Sequence, residues 1–285
     1  MEDFELQRYV TIGQYLPGDS IVHRLDPRTK LTLFLFLALA ITFSPSYTAN
    51  VLLVAVTLGL VLLARIPLGY VVGGLRPALP IIVVLAILQL LFYGDAYTPY
   101  GVPDRTLFEW GWVHVTTGSV QLVIVSMLRF VELLFLTSLL TNTTPLTDLT
   151  HGMEALLRPF ARFGLPAHEL SLVGTIALRF VPLLAEQLET IMKAQASRGG
   201  DVAQRGRLRF VTTARQVAAL IVPLFVDAFR RAVDLILAMQ ARCYVGGRGR
   251  THYVHLQFAR ADAVALTLGL LFAAAIFALR NVFPL

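Results

Sequence analysis

Long runs of apolar residues separated by short polar segments occupy the first half of the chain and recur near its end. A helix that crosses a bilayer needs about 20 mainly apolar residues, with a lower limit near 17. Five stretches satisfy this requirement and are predicted to span a membrane: approximately residues 29–45, 47–64, 71–93, 118–141 and 261–280. The first two are separated only by a turn around Ser44, Pro45 and Ser46, which predicts a tight helical hairpin.

Residues 142–260 are too polar to span a membrane and too apolar for an ordinary soluble domain. A short amphipathic helix is predicted to begin at Thr144 and Pro145, because threonine is a common N-cap and proline is favoured at the first helical position. Gly164 is its predicted end. Two long amphipathic helices should follow, near residues 167–197 and 206–242.

The two long helices are imperfect copies of one pattern. The first contains RFVPLLAEQLETIMKAQASRGG and the second contains LIVPLFVDAFRRAVDLILAMQARCYVGG. Each has a Val-Pro-Leu step, then an amphipathic arm, then a terminal arginine, Arg198 or Arg242. Proline inside a helix removes a hydrogen bond and bends it, so kinks are predicted at Pro182 and Pro223. Each arm should carry its arginine roughly 25 Å from the kink.

The second arm shows two faces at helical spacing. The apolar face consists of Phe225, Ala228, Ala232, Leu235 and Met239. The charged face consists of Asp227, Arg230, Arg231 and Asp234, and we interpret it as solvated, with a partner contact as the alternative. Before each proline the sequence is rich in small residues and nearly free of charge, which suits close helix packing or a hydrophobic partner.

Composition and charge add the location and the orientation. The chain is 56% hydrophobic and only 15% charged, against about 25% charged residues in soluble domains. Lysine and arginine are concentrated in the N-terminal segment, in the 65–76 connection and in residues 141–260, whereas the 94–117 loop carries mainly acidic residues. Basic residues stay on the cytoplasmic side. The net charge of +6 is therefore attributed to topology, and no nucleic-acid partner is predicted.

This pattern predicts an all-α membrane protein with about five transmembrane helices. A cytoplasmic coupling domain of one short and two long kinked amphipathic helices completes it. The segments, in order, are a cytoplasmic N-terminus (1–28), four transmembrane helices with an external loop near 94–117 (29–141), cytoplasmic helices (142–260) and a C-terminal transmembrane helix (261–285). The single cysteine, Cys243, excludes an internal disulfide framework.

The two arginine tips have two interpretations. A cation at a helix C-terminus complements the helix dipole, and a following glycine such as Gly199 ends the helix in a left-handed conformation. Alternatively, the fixed fork of guanidinium donors suits carboxylates on a partner surface. Two matched tips on paired helices favour the second interpretation.

Three separated motifs resemble one known family. SIVHRLDPRTKL (20–31) is similar to the N-terminal signature of the transmembrane T component of energy-coupling factor (ECF) transporters. The two arms with their arginine ends resemble that family's coupling helices, and the resemblance runs from about residue 14 to 280. It implies a non-enzymatic, multi-pass scaffold in a prokaryotic cytoplasmic (inner) membrane, taking up vitamins or other micronutrients. Its implied partners are two ABC-type ATPase subunits, which bind ATP and Mg, one substrate-binding S component and the lipid bilayer; no cofactor is implied on this chain.

The resemblance assigns the ATPase-coupling tips to Ser197, Arg198 and Gly199 and to Ala241, Arg242 and Cys243. Ser197 stands where the family pattern leads us to expect alanine. The S component is expected on the apolar halves of the coupling helices, which precede the two prolines, at Leu172, Gly174, Ala177 and Ala218. In LDPRTK, Asp26 is predicted to cap a helix beginning at Pro27, and Arg28 and Lys30 to anchor the cytoplasmic interface rather than to bind a partner directly.

Other chemistry finds less support. No GxxxxGK[ST] phosphate-binding loop is present, and His252 and His255 have no neighbouring Cys, Asp or Glu, so no metal site is predicted. Arg129 and Glu132 lie inside a predicted span and are interpreted as a structural pair, with a substrate role as the alternative. A self-contained secondary transporter of a small solute and a membrane-embedded enzyme remain alternative functions. Two alternatives remain for the substrate. The chain belongs either to a module shared by several S components or to a module dedicated to one substrate such as cobalt or biotin.

Overall fold

The computed structural model describes residues 15–44, 46–73, 77–92, 106–110, 113–163, 166–198, 210–244, 246 and 257–278. Within these ranges the chain is almost entirely helical, in agreement with the predicted fold class. Its helices are α1 (Pro27–Phe43), α2 (Tyr47–Leu63), α3 (Leu68–Gly73), α4 (Leu79–Phe92), α5 (Thr117–Thr143), α6 (Leu146–Leu157), a 3-10 helix (Arg158–Phe163), α7 (Ala167–Ser197), α8 (Phe210–Ala241) and α9 (Arg260–Ala278). Strands β1 (Thr106–Trp110) and β2 (Val113–Thr116) form an antiparallel hairpin.

Four of the five predicted spans correspond to single helices, α1, α2, α5 and α9. The third, predicted over 71–93, is wrong as one helix, because the chain forms α3 and then the separate α4. Pro80 lies in the first turn of α4, where proline is tolerated because it has no backbone N–H to donate, whereas proline inside one continuous span would break it. The β-hairpin inside the predicted 94–117 loop was not anticipated.

Three described helices are long and apolar enough to cross a membrane by length and composition: α5, α7 from His168 onward, and α9. Helices α2 and α4 are apolar but shorter. At 1.5 Å per residue α2 is about 26 Å long and α4 about 21 Å, against a hydrocarbon thickness of about 30 Å. Helix α7 was predicted to lie on the cytoplasmic side, yet its length and composition would also allow it to cross a membrane. The apolar half before Pro182 accounts for this.

The described chain divides into two compact units. The bundle unit holds residues 15–153 and 257–278, and the arm unit holds residues 154–244. In the bundle unit α5 packs against α1, α2 and α4, while α1 also packs against α9. The core between them includes Ile41, Leu53, Leu136 and Ile276, all at most 8% exposed. Gly269 of α9 lies against the Leu33 side chain of α1, and a Cβ atom there would force the end of that leucine side chain to move.

The LDPRTK motif joins the starts of α1 and α9. The Asp26 carboxylate accepts a hydrogen bond from the Arg28 N–H at 2.9 Å, so Asp26 caps α1 as predicted. Asp262, in the first turn of α9, accepts from the Asp26 N–H at 2.7 Å and from the Ala259 N–H at 2.8 Å. One buried carboxylate therefore satisfies backbone donors at the beginning of both helices.

Lys30 ties α1 to the end of α5. Its ammonium group donates to the carbonyls of His23 and Thr143, both at 3.0 Å, and to the Thr144 hydroxyl at 3.1 Å. The residue is only 7% exposed. The prediction that Lys30 anchors the membrane interface is therefore wrong: its three donors are directed into the protein.

In the arm unit α7 packs against α8, and both helices concentrate their apolar residues on one side. The Nδ1 atom of His168 lies 3.0 Å from Oε1 of Glu154, which connects the start of α7 to the end of α6. Pro182 and Pro223 lie inside the continuous helices α7 and α8, and both side chains are exposed. The bends at these prolines stay a prediction.

Candidate docking surfaces of the arm helices

The first arginine tip ends α7. Ser197 is the last helical residue, and its hydroxyl donates to the Lys193 carbonyl at 2.9 Å. Arg198 follows as the C-cap and its N–H donates to the Gln195 carbonyl at 3.1 Å. Both side chains are exposed. Since the backbone of Arg198 is fixed by the helix end, its guanidinium is presented to the surroundings from a rigid base. Gly199, the third residue of this predicted tip, lies outside the described residues.

The second tip ends α8 in a Schellman arrangement, in which two N–H groups beyond the helix return to carbonyls of the last turn. The Cys243 N–H donates to the Gln240 carbonyl at 2.9 Å, and the Tyr244 N–H donates to the Met239 carbonyl at 3.0 Å. The Arg242 N–H also donates back into the helix. Ala241, Arg242 and Cys243 are exposed, so this tip also presents an exposed guanidinium on a fixed backbone.

Cys243 occupies the left-handed position of this motif, with φ of 58°. Glycine is the usual residue at this position. In any other residue the Cβ atom comes too close to the following carbonyl oxygen, which costs roughly 1–2 kcal/mol of conformational free energy. The exposed thiol also places the only cysteine of the sequence directly beside Arg242.

A polar contact joins the two arms midway. Arg231 of α8 donates through Nη2 to the Gln187 side-chain oxygen of α7 at 2.7 Å. Its Nε atom lies 2.9 Å from Asp227 Oδ2, an i,i+4 ion pair that lacks hydrogen-bond alignment. Gln187 precedes Arg198, and Arg231 precedes Arg242, by the same number of residues. The contact therefore lies about 16 Å from each tip along its own helix.

This contact corrects part of the predicted charged face. Arg230 and Asp234 are exposed, in agreement with the solvated interpretation. Arg231 and Asp227 are instead about one-third exposed, and Arg231 reaches across to α7. Sequence spacing identified the i,i+4 pair, but only the packing of α7 against α8 brings Gln187 to it.

The residues predicted to receive the S component are only partly accessible. Ala177 and Ala218 are exposed, whereas Leu172 and Gly174 are half-buried. A broader apolar surface lies further along α8, beyond Pro223. It comprises large side chains that are all exposed: Phe225, Val226, Phe229, Val233, Ile236 and Leu237. We call these six residues the α8 stripe.

The α8 stripe recurs at spacings of three and four residues, the signal of one helix face. Sequence reasoning placed Phe225 on a face with Ala228, Ala232, Leu235 and Met239, and those four are half-buried. The helix therefore has two adjacent apolar faces. One is partly covered within the chain, and the other, with Phe229 at 68% exposure, is open. An exposed apolar patch of this kind marks a surface for a protein partner or a lipid.

The predicted pair of Arg129 and Glu132 is not joined by an ion pair in the described part of the chain. Arg129 donates to the carbonyl of Ser44, the C-cap of α1, where a cation complements the end of the helix dipole. Glu132 is fully buried, and neither of its carboxyl oxygens has a hydrogen-bond partner among the described residues. Both side chains belong to the bundle unit, so they form no part of the arm surfaces.

Within the part of the chain that the structure describes, no set of three or more His, Cys, Asp or Glu side chains is arranged to hold a metal ion. The two tips offer the exposed guanidinium groups of Arg198 and Arg242 and the thiol of Cys243, and α8 adds an exposed apolar face.

Comparison with known proteins gives a consistent result. The family model described as cobalt transport protein matches residues 18–253, a range that includes both tips. Three similar curated relatives are each named energy-coupling factor transporter transmembrane protein EcfT. The relative from Clostridium kluyveri is 39% identical over 256 residues, covering 90% of this chain and 91% of its own length. That from Thermosediminibacter oceani is 43% identical over 262 residues (90% and 93%), and that from Bacillus subtilis is 40% identical over 270 residues (94% and 97%).

Proposed function

Because this chain belongs to the family of energy-coupling factor transporter transmembrane proteins, we propose that it is the subunit that couples ATP hydrolysis on partner subunits to movement of a substrate-binding S component. The observation that supports this most directly is the pair of exposed arginines at the ends of two packed arms. A helix end with a fixed backbone and an exposed guanidinium suits docking to an acidic surface. Nothing comparable would be needed by a transporter that works alone.

We propose that two ABC-type ATPase subunits dock on the tips, one at Arg198 and one at Arg242. ATP and Mg would be bound and hydrolysed on those subunits, and this chain would contribute no catalytic group. The arm unit then lies on the cytoplasmic side of a multi-pass protein. The distribution of basic residues supports that orientation, with the N-terminal segment on the same side.

The S component is proposed to pack on the apolar surfaces of the arms. The α8 stripe extends the expected contact residues Ala177 and Ala218, and its large side chains offer more apolar area than alanine. Vitamins or other micronutrients are the proposed cargo. The family description names cobalt, and the relatives' names specify no substrate. We propose that the S component, and not this chain, determines which substrate is transported.

The proposed mechanism treats the arms as levers. Closure of the ATPase dimer on ATP would move the tips, and the helices would transmit this movement because they are stiff along their length. The Gln187–Arg231 contact holds the arms together between the tips and the prolines. Coupling also requires that ATP bias two discrete arrangements of the arms.

Arm movement predicts a change in distance between exposed positions on α7 and α8. In a Cys243→Ser background, spin labels at Lys193 and Asp234 should give different distance distributions with and without ATP in the full complex. Both side chains are exposed and stand clear of the Gln187–Arg231 contact. Identical distributions in a complex that transports would contradict the lever, and a shift that survives loss of both tip arginines would show that the tips do not drive it.

Docking at the second tip predicts protection of Cys243. In the isolated chain the exposed thiol should react readily with a maleimide. In the assembled complex we expect the reaction to slow at least about tenfold, because an ATPase covering Arg242 also covers its neighbour. Arg242→Ala should restore the fast reaction in a mixture with ATPase subunits.

The matched control moves the single thiol elsewhere. Cys243→Ser with Asp19→Cys places it on a side chain that is 96% exposed in the bundle unit, and its reactivity should not change on assembly. Equal reactivity of Cys243 in the isolated chain and in a complex containing both ATPases would place the docking site elsewhere. If no ATPase co-purifies and the lone chain transports a solute, the alternative of a secondary transporter replaces the proposal.

A further inference from the structure

The bundle unit contains an apolar groove of about 660 Å³ that the proposed coupling function does not use. Residues of α1, α2, α5 and α9 line it, and nearly all are aliphatic or aromatic. Representative lining residues are Leu33, Leu37, Leu60, Leu136, Leu268 and Phe272. Several side chains at its margin are also open to the surroundings, including Leu268 at 63% exposure.

The groove has one polar end, formed by Lys30, Thr143 and Arg260. Lys30 and Thr143 are joined by a hydrogen bond, and Asp262 links the starts of α1 and α9. The start of α1, the end of α5 and the start of α9 therefore lie at one level. Helices α5 and α9 are long and apolar enough to cross a membrane, so we assign that level to one face of the bilayer.

The cations at this end are not equivalent. All three donors of Lys30 are used on protein oxygens. The guanidinium of Arg260 is exposed, and it forms no hydrogen bond or ion pair with any residue of the described chain. The nearby Asp262 carboxylate accepts from two backbone N–H groups. Arg260 is thus the cation available to a ligand at the mouth of the groove.

The depth of the groove matches one leaflet. From Arg260 to Phe272 along α9 is about 18 Å, and half of a hydrocarbon core of about 30 Å is about 15 Å. A molecule that fills this space needs an apolar chain of that length with an anionic group at one end. Basic pockets between membrane helices bind anionic lipid headgroups.

We propose that this groove is a binding site for an anionic phospholipid. One acyl chain lies along α9 between α1, α2 and α5, and the lipid phosphate contacts Arg260. A lipid with net negative charge is favoured over a zwitterionic lipid, because the latter brings its own cation next to the arginine. The lipid comes from the leaflet at which α1 and α9 begin.

The test equilibrates the purified full chain in detergent with equal amounts of phosphatidylglycerol and phosphatidylcholine of identical acyl chains. Native mass spectrometry then counts the lipids retained. We expect one retained phosphatidylglycerol per chain. Arg260→Gln should lower the ratio of phosphatidylglycerol to phosphatidylcholine about fivefold, the effect of one cation near a membrane surface.

A second pair of variants tests the groove itself. Ala265→Trp fills it from a lining position and should abolish retention of either lipid. Leu271→Trp, on the same helix but outside the lining and 68% exposed, should retain the lipid. If Ala265→Trp does not fold, Leu268→Trp fills the groove from a more exposed lining residue.

Three results would overturn the proposal. The first is equal lipid retention by the groove-filling and control tryptophan variants. The second is an unchanged lipid ratio in Arg260→Gln, an exposed substitution that leaves the core intact. The third is a dimer mass in place of the lipid adduct, which would show that a second copy of the chain covers the groove.

Discussion

Replacing Arg198 and Arg242 together by alanine should release both ATPase subunits from the membrane complex. Each arginine ends a rigid arm and is exposed in the isolated chain. When a partner covers such a tip, the guanidinium and its carboxylate partner both lose water. Truncating one member of a buried charge pair costs about 2–5 kcal/mol, so each proposed ATPase contact should weaken by roughly 30-fold to several thousand-fold. Affinity purification through a tag on this chain, followed by quantification of ATPase per chain, measures the release.

Two controls make this result specific. Arg230→Ala removes an exposed arginine from the same arm, away from the tip, and should leave the subunit ratio unchanged. Arg198→Lys with Arg242→Lys should restore binding only in part, because lysine lacks the planar fork of donors. The isolated double alanine variant should unfold at the wild-type temperature, since neither arginine side chain is buried. A stoichiometric complex after the double alanine change would exclude the tips as the main ATPase contact.

The helical pattern predicted the arms well because their signal is local. The bounds of α7 agree with the predicted 167–197, and α8 ends one residue before the predicted 242. Apolar spacing defines such helices without knowledge of what packs against them. The residues that carry the repeated tips are adjacent in sequence, so their exposure at the helix ends also followed from local pattern.

Features that depend on distant residues were missed or misread. Lys30 was interpreted as an interface anchor because lysine beside a span usually is, yet acceptors in Thr143 and Thr144 bring it inside. Arg231 was placed on a solvated face because Gln187 lies on another helix. Each depends on tertiary contacts that periodicity does not encode.

The open α8 stripe was overlooked for a different reason. Its six residues and the half-buried face beside them both satisfy helical spacing, so the pattern predicts a helix with a wide apolar sector. Which part of that sector is covered depends on where α7 packs. Helical spacing alone therefore predicts that the stripe is apolar, but it does not show that these six residues are exposed.

Lys30→Met should strongly destabilise the bundle unit while leaving the tips intact. The change keeps the length of the side chain but removes donors to two carbonyls and one hydroxyl. A buried acceptor left without a partner costs about 1–3 kcal/mol, and Thr143 and Thr144 are each only 2% exposed. We expect a loss of about 3 kcal/mol or more, seen as a fall in the apparent unfolding temperature of the detergent-solubilised chain on the order of 10 °C.

Comparison with Lys193→Met separates this structural role from partner binding. Lys193 is exposed on α7, and surface changes of this kind usually lie within about 0.5 kcal/mol. Under the structural interpretation, Lys30→Met lowers the unfolding temperature of the chain alone, and the surviving folded fraction still binds ATPase subunits. An unchanged unfolding temperature with loss of ATPase binding would instead assign LDPRTK to a docking surface, and the contacts of Lys30 would then be dispensable for the fold. Because the arginine variants are expected to behave in the opposite way, stable but unable to assemble, the two sets of measurements distinguish the residues that hold the bundle together from those that hold the complex together.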